Sequence, residues 1–111
     1  MKQRVAQINE LVRSIVGQTI LTELEMAPNT VVTVTKANTS PDLKNVTVFV
    51  SIIPDNKSLS TFDFLKRKIG VLQHFLGEKL SMRVTPRITL KIDYTEQQAS
   101  HIEALLDNLK K

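Results

Sequence analysis

A chain of 111 residues, 41% hydrophobic and 23% charged, has the balance of an ordinary globular protein, and its length suits one domain over 1–111 around a single core. It contains no cysteine, which excludes a disulfide scaffold, thiolate catalysis and cysteine-based zinc sites together and fits a reducing, cytoplasmic setting. The net charge of +4 is unevenly placed: residues 66–91 hold seven basic residues and one acid, +6, which leaves −2 for the rest.

Residues 4–16 have the spacing of an amphipathic helix, with Val5, Ile8, Leu11, Val12, Ile15 and Val16 on one side, and the pattern can run past Gly17 to Leu24. Ala27-Pro28-Asn29-Thr30 breaks it. Val31–Asn38 is rich in β-branched residues and predicts a strand. Ser40-Pro41-Asp42 supplies a turn, and Asn45–Ile53 predicts a second strand with Val46, Val48, Val50 and Ile52 on one face. The two pair most simply as an antiparallel hairpin.

Ser60 or Thr61 is placed to cap a helix whose apolar stripe is Leu65, Ile69, Leu72, Leu76 and Leu80, with Phe64, Val71 and Phe75 beside it. Gly70 interrupts this run, predicting a kink or a close backbone approach where two helical segments meet. Arg87–Tyr94 predicts a third strand after Pro86. Thr95-Glu96-Gln97-Gln98 is a capping-box pattern opening a last helix with Ile102, Leu105, Leu106 and Leu109.

Few residues carry chemistry. His74 and His101 have no metal-ligand spacing, and there is no phosphate loop, nucleophile elbow or paired carboxylate, so neither an enzyme nor a metal, cofactor or small-molecule substrate is expected. No segment of about 18 apolar residues occurs, so a membrane is not an expected partner. The candidate site is basic. Lys66, Arg67, Lys68, Lys79, Arg83 and Arg87 are the expected RNA-phosphate contacts and can share one surface, with Lys36 and Lys44 flanking the turn as further candidates. Phe49, Phe64 and Phe75 are expected in the core, and five aromatic residues argue against a binder dominated by stacking.

The element order, helix, strand, strand, helix, helix, strand, helix, is that of an α+β K-homology-like fold of type II. That fold normally binds nucleic acid at a Gly-x-x-Gly loop between two helices, and Gly17, Gly70 and Gly77 cannot form one, so side chains would have to replace the clamp. A more specific likeness runs along the chain: Arg4-Val5-Ala6, Val32-Thr33-Val34-Thr35, Ser40-Pro41-Asp42-Leu43, Val46-Thr47-Val48-Phe49-Val50-Ser51, Gly70-Val71-Leu72, Leu76-Gly77-Glu78-Lys79-Leu80, Arg83-Val84-Thr85-Pro86 and Ile102-Glu103-Ala104-Leu105-Leu106. In these segments the chain resembles the bacterial ribosome-binding factor A family. The resemblance implies a monomeric factor that joins free small (30S) ribosomal subunits, assists late maturation and processing of 16S rRNA, and serves adaptation to cold. It also implies a helix kink at Lys68 and Gly70, where this chain has Lys68 in place of the family's usual small residue. The alternative from composition alone is a protein-interaction module that docks a partner through its apolar helix faces without binding RNA.

Overall fold

The computed structural model describes residues 2–95. In chain order these form α1 (Lys2–Glu23), β1 (Val31–Thr39), β2 (Asn45–Ile53), a 3-10 turn (Asp55–Lys57), α2 (Ser58–Arg67), α3 (Ile69–Lys79) and β3 (Arg87–Ile92). The helix expected after Thr95 lies outside the described residues.

β2 is the middle strand, antiparallel to β1 and parallel to β3. A parallel neighbour cannot be reached by a tight turn, so the chain must travel from the end of β2 back to the level of its start, and α2 and α3 make that crossover. Alternation along β2 then divides the sheet into two faces. Val46, Val48, Val50 and Ile52 are at most 1% exposed and meet Ile8, Val12, Val16 and Ile20 of α1 and Leu65, Leu72, Leu76 and Leu80 of the crossover in one cluster. Thr47, Phe49 and Ser51 point to the opposite face.

Several local outcomes differ from the sequence pattern, each for a physical reason. Leu11 is 52% exposed, because the buried row of α1 repeats every fourth residue from Ile8 to Ile20. Buried Thr19 joins that row, its hydroxyl donating to the Ile15 carbonyl at 2.7 Å. α2 starts at Ser58, ahead of Ser60 and Thr61, and has no side-chain cap. Thr61 is itself buried, and the Ser60 hydroxyl donates to the Lys57 carbonyl.

The helix break falls on Lys68, whose φ of −95° and ψ of 13° stand between α2 and α3. This bridge conformation is open to any residue type. Gly70 lies one residue into α3, has no positive φ, and a Cβ there would meet nothing within 4 Å. The close approach expected at Gly70 is therefore absent. What bends the crossover is a rotation at Lys68 that keeps both Leu65 and Leu72 fully buried.

β1 contains a bulge between Val34 and Lys36, so that Val34 pairs with Val50 while Lys36 pairs with Phe49. β3 ends two residues before Tyr94. The Asp93 amide still donates to the Val50 carbonyl at 2.7 Å, but the Asp93 carboxylate then accepts from the Thr95 amide at 2.9 Å and from the bulged Thr35 hydroxyl at 2.7 Å. An Asx turn thus replaces further pairing.

Two measurements check these points. Gly70→Ala should raise the urea midpoint, by about 0.5 kcal/mol of stability, since helix propensity improves and no clash opposes it. The Asp93 carboxyl is drawn down to about 2, first by the Thr95 side chain, then by the Thr95 amide and the Thr35 hydroxyl. A carboxyl with a folded pKa below its unfolded value of about 4 stabilises above that pH and loses the effect as pH falls toward 2. The stability gap between the parent and Asp93→Asn should accordingly shrink between pH 5 and pH 2.

Candidate nucleic-acid interface

Leu65 occupies the core position at the end of α2, which leaves the next three residues, Lys66, Arg67 and Lys68, exposed around the α2–α3 junction. Lys66 Nζ lies 5.5 Å from the centre of the Phe62 ring and Lys68 Nζ 5.8 Å from that of Phe64. Both are pairs four residues apart, the first within α2 and the second reaching from the Lys68 break back onto the last turn of α2, where side chains stack naturally. Arg67 pairs with Asp63, but both side chains are more than half exposed, so the contact holds the guanidinium only weakly. Beside the junction an open cleft of about 430 Å³ is lined by Phe64, Lys68 and Val71 together with Glu23, Leu24 and Glu25 at the end of α1. Its two carboxylates make that side unfavourable for a phosphate.

A second group stands at the other end of α3. The eleven residues of that helix separate Lys68 from Lys79 by about 16 Å along the axis. Lys79 Nζ is 5.9 Å from the Phe75 ring, again four residues back. Arg83 is exposed in the loop that follows, and Arg87 opens β3 with its amide donating to the Lys44 carbonyl at 2.9 Å. Lys44 and Arg87 are thereby brought side by side. Lys36 stands apart from both groups along β1, on the sheet face turned away from the helices, a face that Arg87 also shares, its ammonium 4.6 Å from the Phe49 ring centre.

The eight basic candidates thus fall into three groups rather than one surface. The phenylalanines also differ from expectation. Phe49, Phe64 and Phe75 are half-buried and lie outside the buried cluster, while Phe62 packs against it. All four phenylalanines of the chain carry a lysine over the ring. On the helices the signal was present in the sequence as Phe-x-x-x-Lys, three times over.

Sequence reasoning passed over Gln73. Its side-chain amide donates to the Pro86 carbonyl at 2.9 Å and its oxygen accepts from the Ile88 amide at 3.0 Å, so it holds the backbone on both sides of Arg87. A lone glutamine among the leucines of α3 gives no periodic clue that it serves a strand beginning fourteen residues on. His74 makes an exposed 3.2 Å contact with Glu78, and among the described residues no group of three or more His, Cys, Asp or Glu side chains could hold a metal ion. His101 lies outside the described residues. No described helix is long and apolar enough to cross a membrane.

The sheet order, the crossover and the broken helix pair define a K-homology-like fold in its second topology. Here Lys66-Arg67-Lys68 stands where others of the class have Gly-x-x-Gly. The family model for ribosome-binding factor A matches residues 4–106, and the chain belongs to that family. Ribosome-binding factor A of Akkermansia muciniphila is 30% identical, the match covering 100% of this chain and 88% of that one. That of Clostridium tetani is 32% identical, covering 98% and 92%. Among solved structures, the crystal structure of ribosome-binding factor A from Thermus thermophilus superposes with a TM-score of 0.68 at 21% identity, covering 79% of this chain and 93% of that one. A homology model of the Thermus thermophilus factor, fitted into a cryo-EM map of a 30S–RbfA complex, gives 0.63 at 22% identity over 78% and 91%.

Gln73→Ala should destabilise by about 1–2 kcal/mol, because it strands the part-buried Ile88 amide and Pro86 carbonyl. Faster hydrogen exchange at Ile88, with the α1 amides unchanged, would locate the loss at the start of β3.

Proposed function

We propose that this protein is a non-catalytic factor that binds the small ribosomal subunit through its 16S rRNA and assists late maturation of that RNA in the cytoplasm, with no cofactor or small-molecule substrate. The observation that carries the reading is the position of Lys66, Arg67 and Lys68 on the α2–α3 junction. Other K-homology folds clamp the nucleic-acid backbone with bare amides at this place, and here three cations on a tight break are turned outward. Cations meet phosphates without reading sequence, so affinity would come from charge, and specificity from the shape of the folded RNA. Lys79, Arg83, Arg87 and Lys44 extend the footprint beyond the far end of α3. The family's name and the 30S complex of the Thermus thermophilus factor support the same partner.

A second reading, docking of a protein partner, draws on an apolar cleft of about 280 Å³ lined by Ile20, Leu21, Leu24, Met26 and Val31, with Leu21 77% exposed. Salt separates the two. Binding of the parent to purified small subunits should weaken linearly in log–log form with a slope of roughly −3.5 to −4.5 for about five phosphate contacts, and the Lys66→Ala/Arg67→Ala/Lys68→Ala variant should lose about 2 to 3 units of that slope. Identical slopes would remove the junction from the interface, and a flat slope for both would favour the protein-docking reading. Cells lacking the protein should accumulate precursor 16S rRNA, more so in the cold.

A further inference from the structure

The sheet face opposite the helices is uncovered by any described element. Thr33, Lys36 and Asn38 of β1 and Arg87, Thr89 and Lys91 of β3 are all exposed there, with Phe49 half-buried on the central strand between them. The register sets Lys36, Phe49 and Lys91 in one row across the three strands. Two strand spacings, about 10 Å, separate the two lysine backbones, so both ammonium groups can reach around the edges of whatever lies on the ring.

The bulge builds this row. With unbroken alternation after buried Val34, Thr35 would face outward and Lys36 would point into the core. The extra residue instead leaves both Thr35 and Lys36 exposed and returns Ala37 to the buried face. Thr35 is held in place by its hydroxyl contacts to the Asp93 carboxylate and, at 3.3 Å, to the Phe49 carbonyl. Asp93, just past β3, is hydrogen-bonded by Thr35 and Thr95, stays ionised and acts on Lys36, so the two lysines of the row outnumber the one negative charge beside it.

We propose that this face is a second RNA contact, in which the Phe49 ring stacks one unpaired base while Lys36 and Lys91 take the phosphates on either side. An aromatic face between two cations on an open sheet matches the chemistry of a single-stranded nucleotide, which offers a flat π-surface flanked by negative charge. In the free protein the Lys36 ammonium covers the ring. A phosphate draws it aside and leaves the ring to the base. The inference rests on the reading of the protein as an RNA binder, and it adds to the helix junction a site that selects for unpaired RNA.

The test uses the full chain and fluorescein-labelled hexaadenylate and hexauridylate. The parent should bind hexaadenylate more tightly than hexauridylate, as the larger base stacks better. Phe49→Leu should weaken hexaadenylate binding by about 5-fold or more, since a lost base–aromatic stack is worth at least that. Phe49→Tyr, which keeps the ring, should bind like the parent, and melting of each variant shows that the fold is intact. Lys36→Gln/Lys91→Gln should lower the salt slope by about 1.4 units, the single-strand value for two phosphates. Phe49→Leu binding as the parent does, no hexamer binding by the parent up to about 1 mM, or equal competition by a poly-glutamate peptide would each overturn the proposal. Small-subunit titration of the junction variant, run in parallel, reads the primary interface independently: loss there with an unaffected Phe49→Leu would sink this site alone, and the reverse pattern would sink the junction alone.

Discussion

The parallel pairing of β3 with β2 is the constraint on which the rest of the molecule depends. Six residue pairs, from Asn45–Arg87 to Val50–Ile92, can form only if the chain first travels back along the sheet, and a return over that distance needs helical structure. Its apolar stripe must lie on the same valine face that α1 already covers. The crossover breaks at Lys68, with Leu65 buried in α2 and Leu72 and Leu76 in α3. The exposed corner that results is where Lys66, Arg67 and Lys68 stand. The basic junction is thus a product of the topology, and the charge there is what the sequence places on a corner the fold already requires.

The same constraint explains Gln73. Among the described residues β3 has a sheet partner on one edge only, and its first residues leave the loop without one on the other side. Gln73 supplies both a donor and an acceptor to them from α3. Arg87 is thereby set beside Lys44 by backbone contacts from two directions, so its position is determined by parts of the molecule that carry no charge.

Much of this was legible in the sequence, in proportion to how periodic the cause is. The Val46–Ile52 alternation and the Leu65–Leu80 stripe gave the correct buried faces, because burial imposes a period of two on a strand and of nearly four on a helix. A kink was expected at Lys68 and Gly70, and the break lies on Lys68 alone; the spacing could not separate the two, because Leu65, Ile69, Leu72 and Leu76 keep helical register straight through both. The bulge had a trace, since Val32 and Val34 share one parity while Ala37 and Thr39 share the other. Its consequence, a lysine swung over Phe49, depended on the pairing register with a residue thirteen positions away on the next strand. The phenylalanines were misassigned because size favours the core, and only the contacts show each ring shielded by a cation.

The bulge at Thr35 also bears on how the protein behaves in a crowded solution of its own copies. Among the described residues β1 is an outer strand, and although its Thr39 amide donates to Asn9 Oδ1, nine residues of regular, β-branched backbone would otherwise be a template for a further strand from a neighbouring molecule. Inserting one residue breaks the even spacing of amides and carbonyls along that rim, and the lysine beside it adds repulsion between like copies. The irregularity that arranges one face of the sheet therefore also guards its margin against fibrous self-association.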